Sequence, residues 1–294
     1  MPGRSVASAK RGPVFTGRWR NALAATVALL ALIGSGPLDA VDPSWAIKQW
    51  TTAHGLPQSS VTALAQTPDG FLWVGTSGGL VRFDGTRFLL VRVAGAEGSE
   101  TLQVSALAAD SSGTVWVGTE NSGAYRLESG VLRRIPSPSA VETAAVQTIT
   151  ASTGGTVWFG CREHVLAVVR AGSLETVPGP AEIARASVTS IVPEGPQEVV
   201  VAAEPAGLFR GTVKGMERLT TDPRSLSAVG GVVADAHGIV WASSDGGIFR
   251  LEGKRVEPLA GVPPSFLARQ VKPDDEGGFW IGAADGLHRL RRGS

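Results

Sequence analysis

Several residue types are scarce in this chain of 294 residues, and each shortage excludes a class of structure. Cysteine occurs once, as Cys161, so neither an internal disulfide nor a metal site with several thiolates can form. Charged residues make up only 18% of the chain, which does not fit a helical bundle rich in Glu and Lys. Glycine, by contrast, occurs 38 times, and this abundance favours many short strands joined by tight turns.

An excess of charge of one sign is also lacking over most of the chain. Residues 1–40 carry a net charge of +4, and residues 41–294 carry −3. A protein that binds nucleic acid normally presents a basic surface to the phosphates. The near-neutral, slightly acidic body therefore indicates that nucleic acid is not a partner.

The chain has only one long apolar run, residues 22–33. Basic residues precede this run, and Gly34, Pro37 and Ala40 follow it. The order is typical of a bacterial secretory signal peptide, and the run is shorter than the about 20 residues that span a membrane. We predict that residues 1–40 are a signal peptide cleaved near Ala40, or an uncleaved N-terminal membrane anchor. The protein is then periplasmic or secreted, and residues 22–33 are its only expected attachment to the membrane.

Tryptophan recurs at a regular interval through the rest of the chain. Five of the eight tryptophans are in phase: Trp73, Trp116, Trp158, Trp241 and Trp280. With Val200 in the long gap, successive members are 39 to 43 residues apart, a period typical of propellers or solenoids. We predict that residues 45–294 form an all-β fold, a β-propeller of about six four-stranded blades. The five tryptophans are predicted to be buried where neighbouring blades pack.

The two ends of the repeat region complement each other. Residues 45–51 have the pattern of a strand in the phase of a fourth strand, ahead of the first complete unit. The last unit has three predicted strands and no fourth. We therefore predict that residues 46–51 pair with residues 287–290 and close the ring, since closure removes the open edges of the sheets.

Four segments of the first unit carry a family resemblance: residues 49–52 (QWTT), 55–61 (GLPQSSV), 67–76 (TPDGFLWVGT) and 79–85 (GLVRFDG). They closely resemble the two-component regulator propeller repeat, and the likeness weakens toward the C-terminus. The resemblance implies the extracytoplasmic sensor domain of a bacterial receptor, which usually continues into a histidine kinase or a diguanylate cyclase. The sequence contains no such segment, so we expect a sensing or binding module without its own output domain.

The resemblance also implies that ligands bind on the face formed by the turns between second and third strands and by the linkers between blades. The candidate ligand-binding residues on this face are His54, Glu120, Arg162, Glu163, His164, Arg224, Asp245 and Asp285. The turn from Cys161 to His164 is the most distinctive, because other blades have small residues there. A surface turn that has drifted is the more common explanation of such a segment, and ordinary turn chemistry explains an Asp before a Gly.

Three functions remain open at this stage. No GxSxG, HExxH or phosphate-binding loop is present, so we expect no catalytic residue, no cofactor and no metal site. The favoured partner is a small molecule, for example a carbohydrate. A scaffold that binds a protein partner is the first alternative. The second is an enzyme resembling the streptogramin lyases, which would need a histidine base and metal-binding carboxylates at the channel.

Overall fold

The computed structural model describes residues 48–95, 102–162, 166–219, 229–235, 238–243, 247–252, 255–263, 266–274 and 276–291. The chain divides into two compact units, Met1–Gln49 and Trp50–Ser294. In the first unit, Lys48 and Gln49 are exposed and have no regular secondary structure. The predicted signal peptide or anchor, residues 1–40, lies outside the described residues. Within the described part of the chain, no helix has the length and apolar character needed to cross a bilayer.

The described residues of the second unit form six sheets, and the first three hold strands β1 to β13. The first sheet contains β1 to β4: Val61–Gln66, Leu72–Thr76, Gly79–Phe83 and Phe88–Leu90. The second sheet contains β6 to β9: Val104–Ala109, Val115–Thr119, Ala124–Glu128 and Val131–Arg134. A short strand before them, β5 (Arg92–Val93), lies parallel to β9. The third sheet contains β10 to β13: Val146–Ala151, Val157–Cys161, Leu166–Arg170 and Ser173–Thr176.

The other three sheets hold strands β14 to β24. The fourth sheet contains β14 to β17: Ser187–Pro193, Glu198–Glu204, Gly207–Thr212 and Gly215–Arg218. The fifth sheet contains β18 to β21: Val229–Asp235, Gly238–Ser243, Ile248–Glu252 and Arg255–Pro258. The sixth sheet contains β22 to β24: Ala268–Pro273, Phe279–Ala283 and Gly286–Leu290. A short helical segment, Thr52–His54, precedes β1, and two others, Ser139–Glu142 and Ala181–Arg185, lie between strands.

The prediction of an all-β propeller is confirmed, with one correction to the count of four-stranded blades. Five sheets have at least four strands, and the last sheet has three. The described residues therefore form five four-stranded blades rather than six. The last sheet has no fourth strand among the described residues, because none of them pairs with the outer edge of β24.

The turn between the first and second strands of a blade is organised by a polar side chain, as the second blade shows. Asp110 accepts hydrogen bonds from the backbone N–H groups of Ser112 and Thr114, both at 3.0 Å. It also accepts one from Trp116 Nε1 at 2.9 Å. Gly113 completes the turn with φ of 85°, a conformation that side chains disfavour. The turn therefore orients the tryptophan of its own blade.

The packing between successive blades depends on a glycine in the second strand. A Cβ added to Gly75 would lie 2.5 Å from Val104 Cγ1 of the next blade, and one added to Gly160 would lie 2.5 Å from Val188 Cγ1. Such distances are too short for a side chain. The Trp-x-Gly step of the repeat thus combines a large ring with the space that the neighbouring blade needs.

The predicted burial of the tryptophans is confirmed at three positions and wrong at one. Trp73 and Trp116 are each 6% exposed, and Trp158 is fully buried. Each lies in a core cluster with residues of the following blade. Trp280 is 42% exposed, because no described blade follows its sheet. The side chain of Trp241 lies outside the described part of the structure.

Nor do the described residues form a seam between the last blade and the first. Substantial strand packing joins each sheet to the next one in the chain, and none of comparable extent joins the sixth to the first. Gly282 corresponds to Gly75, but a Cβ added there would meet only Gln270 of its own sheet, at 3.7 Å. Val61 corresponds to Val104, yet it is 46% exposed.

The predicted closing strand, residues 46–51, is wrong where the structure describes it. Residues 48–51 have no strand, and residues 46 and 47 lie outside the described residues. The Trp50 ring packs edge-on against Phe83 of the first blade, with ring centroids 5.1 Å apart. It joins a small apolar cluster with Val74 and Val81. This packing places Trp50 against the first blade.

Candidate functional site

One end of the blades brings together the turn after each second strand and the segment before each first strand. The antiparallel register requires this: Val61 at the start of β1 pairs with Thr76 at the end of β2. We call this end the turn face. Among the described residues, it carries four of the sequence-predicted ligand residues: His54, Glu120, Arg162 and Asp285.

Backbone hydrogen bonds hold the turns of this face in place. In three blades, the residue that begins the turn donates its N–H to the residue just before the first strand. The bonds run from Glu120 N to Gln103 O (2.9 Å), from Arg162 N to Ala145 O (2.8 Å) and from Ala284 N to Leu267 O (3.3 Å). These hydrogen bonds fix the main chain of the turns, whereas the side chains can differ from blade to blade.

His54 is exposed and has a local structural contact. Its Nδ1 accepts a hydrogen bond from Thr51 N at 3.1 Å and lies 3.2 Å from Thr51 Oγ1. The imidazole thereby caps the short helix Thr52–His54. Since Nδ1 accepts from the main chain, the neutral ring carries its proton on Nε2, and only that atom is open to a ligand.

Glu120 and Arg162 are exposed on neighbouring blades and carry opposite charges. Four other predicted residues lie outside the described residues: Glu163, His164, Arg224 and Asp245. Within the part of the chain that the structure describes, no hydrogen bond or ion pair joins one predicted site residue to another.

Cys161 does not belong to the exposed turn, which corrects its inclusion in the distinctive segment. It is the last residue of β11 and is fully buried in the core between the second and third blades. Burial raises the pKa of the Cys161 thiol to about 12. The thiol is therefore protonated at neutral pH and is a packing residue, not a nucleophile or ligand.

Asp285 has a partner that the sequence analysis did not select. Its Oδ1 lies 2.9 Å from His288 Nε2, across the turn between β23 and β24. The hydrogen bond from His288 lowers the pKa of the Asp285 carboxyl. Both side chains are accessible, at 70% for Asp285 and 41% for His288. The sequence could have indicated this pair, because Asp285 begins an Asp–Gly turn three residues before His288. A tight hairpin brings such positions together.

Among the described residues, no group of three or more His, Cys, Asp or Glu side chains is arranged to hold a metal ion. The described part of the turn face thus consists of separated, exposed polar side chains on pinned turns. Such a surface is suited to hydrogen bonding with a polar ligand.

Two segments of the chain, residues 55–78 and 98–121, match the family described as two component regulator propeller. The resemblance inferred from the sequence is confirmed. In each of the first two blades, the matched segment begins before the first strand and ends just after the second strand. A comparison with curated protein sequences finds no match.

Similar solved structures include extracellular domains of bacterial signalling systems. One is the extracellular domain of a putative hybrid two component system from B. thetaiotaomicron, with a TM-score of 0.63 and 17% identity over 84% of this chain. Another, from a putative one component system of B. thetaiotaomicron, has a TM-score of 0.53 and 16% identity over 80% of this chain. The chain spans only 37% and 38% of the length of these two domains. This protein is thus a propeller resembling extracellular domains of two-component sensor systems.

An enzyme has the same fold. Virginiamycin B lyase from Staphylococcus aureus is similar with a TM-score of 0.62 and 13% identity, over 80% of this chain and 85% of the lyase. At this identity the likeness concerns the fold alone.

Proposed function

We propose that the second unit is a ligand-binding sensor module that works outside the cytoplasm and contacts its ligand through the turn face. One observation carries the proposal: the turns at Glu120 and Arg162 are pinned by backbone hydrogen bonds while their charged side chains stay exposed. Rigid scaffolds that bind ligands commonly place specificity on such positions. The apolar run at residues 22–33 and the likeness to extracellular sensor domains support the location.

The ligand class follows from the side chains on this face. Glu120 supplies a negatively charged acceptor, and Arg162 supplies a positively charged donor. His54 Nε2 supplies a third polar atom. A polyhydroxyl molecule such as a carbohydrate presents donors and acceptors to all three.

A thermal-shift screen with carbohydrates and small organic acids tests the proposal. A ligand that binds only the folded state raises the Tm, and Arg162→Ala and Arg224→Ala should abolish that rise. Arg133→Ala is the matched control, because Arg133 lies on the outer strand β9 and is 61% exposed. An unchanged ligand affinity in both turn-face variants would show that the ligand binds elsewhere.

A lyase-like activity is the second candidate, because the likeness to virginiamycin B lyase extends over 80% of this chain and 85% of the lyase. Incubation with virginiamycin B, followed by mass spectrometry, tests it directly. Turnover that stops in His54→Ala or His164→Ala would put the enzyme first. Absence of turnover together with a saturable thermal shift would support the sensor.

A further inference from the structure

The first strand of each described sheet has a β-bulge close to its start, at the turn face. At each bulge one residue of the first strand has no partner on the second strand. A bulge redirects the side chain and is common beside binding and active sites. The six residues, which we call the bulge residues, are Thr62, Ser105, Gln147, Thr189, Gly230 and Arg269. They lie on the inner rim of the turn face, because the first strands of successive blades pack on one another.

In the first two blades the hydroxyl of the bulge residue bonds to the next blade. Thr62 Oγ1 donates to the carbonyl of Val104 at 2.6 Å, and Ser105 Oγ donates to the carbonyl of Val146 at 2.6 Å. Each acceptor directly precedes the bulge residue of its own blade. These two hydroxyls therefore stabilise the contact between neighbouring blades.

In the third blade the bulge residue is Gln147, and it does not make this bond. Its Oε1 atom is buried and has no hydrogen-bond partner among the described residues. By equivalence with Ser105, a serine at this position would donate to the carbonyl of Val188, which directly precedes the next bulge residue. A buried oxygen without a donor destabilises the folded state. The third blade thus has an amide where its neighbours show that a hydroxyl would stabilise the fold.

Gln147 also lies beside a residue of the candidate site. Two residues before it, the carbonyl of Ala145 accepts the hydrogen bond from Arg162 N at 2.8 Å. Val146, between them, pairs with Cys161. The amide and the exposed Arg162 side chain therefore belong to the same blade and the same end of it.

We propose that Gln147 is a ligand-binding residue of the turn face, whose amide turns out of the seam to accept a hydrogen bond from a ligand hydroxyl. The inference rests on the proposed function and adds a residue that the sequence analysis did not select. Binding gives Oε1 the donor that it lacks in the free protein, so the penalty of the unpaired oxygen is removed when the ligand binds. The guanidinium of Arg162 matches a carboxylate. The two side chains together fit a sugar acid, which carries both groups.

The test is isothermal titration calorimetry of the full chain with D-glucuronate, and saturable binding is expected. Gln147→Ser should weaken this binding about threefold to tenfold, as expected for the loss of one hydrogen bond. The same variant should raise the Tm of the free protein by about 2–4 °C, because serine removes the unpaired oxygen and donates to the next blade. Gln147→Met should weaken binding to a similar extent, since it keeps the length of the side chain and loses its polar atoms.

Thr62→Val is the matched control at the same position of the first blade. Its hydroxyl already bonds to Val104, so the variant should lower the Tm of the free protein and leave the affinity for D-glucuronate unchanged. A residue with a structural role alone changes stability without this separation of the two measurements.

Three results would overturn the inference. The first is an unchanged affinity in Gln147→Ser and Gln147→Met; if Arg162→Ala still abolishes binding, the proposed function stands without Gln147. The second is a Tm that falls in Gln147→Ser, because the amide would then stabilise the free protein. The third is a lack of D-glucuronate binding, and if another compound of the thermal-shift screen binds through Arg162, only the role of Gln147 and the sugar acid fails.

Discussion

Blades three and six contain the same Trp-x-Gly step in opposite environments. Trp158 is fully buried, in a cluster with Val188, Val199 and Val201 of the following blade. Trp280 is 42% exposed, and the guanidinium of Arg289 in its own sheet lies 5.2 Å from the centre of its ring. The difference teaches that in a repeat architecture the burial of a side chain is supplied by the next unit and not by the unit that contains it.

The largest expected difference is between alanine variants of these two tryptophans. Trp158→Ala should lower the free energy of unfolding by about 3–5 kcal/mol, because it leaves a cavity that the neighbouring blade cannot fill. Trp280→Ala should cost much less, since its ring is partly in water already. Urea denaturation with a fluorescent reporter measures both.

Equal losses in the two variants would break the comparison. They would mean that Trp280 has a neighbour in solution that buries it as Trp158 is buried. The seam between the last and first blades would then be closed.

The second-largest difference in stability is expected between alanine variants of the two glycines, Gly160 and Gly282. In Gly160→Ala the new Cβ would lie 2.5 Å from Val188 Cγ1 and 2.7 Å from Thr148 Cγ2, so we expect a loss of about 1–3 kcal/mol. In Gly282→Ala the nearest atom is Gln270 Cβ at 3.7 Å, an ordinary contact, and the Tm should stay near that of the parent. A Gly282→Ala variant as unstable as Gly160→Ala would reveal a packed neighbour at the last blade.

A smaller difference in stability is expected between phenylalanine variants of two buried tryptophans, Trp116 and Trp158. Trp116 Nε1 donates to Asp110, whereas Trp158 Nε1 is buried and has no hydrogen-bond partner among the described residues. The reason is that Ser152 replaces the aspartate, and its hydroxyl bonds to the carbonyl of Pro196 instead. Trp116→Phe should therefore cost about 1 kcal/mol more than Trp158→Phe, beyond the packing that both lose. Chemical denaturation of the pair measures the difference, and equal costs would mean that the Asp110 bond contributes nothing net.

The smallest effect is a dependence of stability on pH. Partial burial opposes ionisation of Asp110, but hydrogen bonds from Ser112, Trp116 and Thr114 outweigh it and lower the pKa of the carboxyl. A lowered folded-state pKa adds stability above the unfolded value of about 4, and that stability is lost as pH falls through the folded pKa. Asp110→Asn should flatten the fall in Tm below about pH 4. A variant whose Tm falls as steeply as that of the parent would contradict this role.

Residue equivalence within the repeat made much of the fold predictable. The strands of the first blade, the turn glycines and the buried rings of Trp73, Trp116 and Trp158 follow from period and turn chemistry. The same equivalence could have placed Cys161 correctly, since Thr76 and Thr119 occupy its position and are fully buried. The pairing of Asp285 with His288 required the actual geometry of the last hairpin.

The amino-acid sequence alone determined the repeat length, the order of strands within a blade and the end of the blades at which the polar turns lie. These depend on neighbours close in the chain, through strand alternation and turn conformation. Only the tertiary structure decided that Trp50 packs on the first blade and that Trp280 is exposed. Each of these depends on which blade lies next to the side chain, and similar local sequences meet different neighbours in the third and sixth blades.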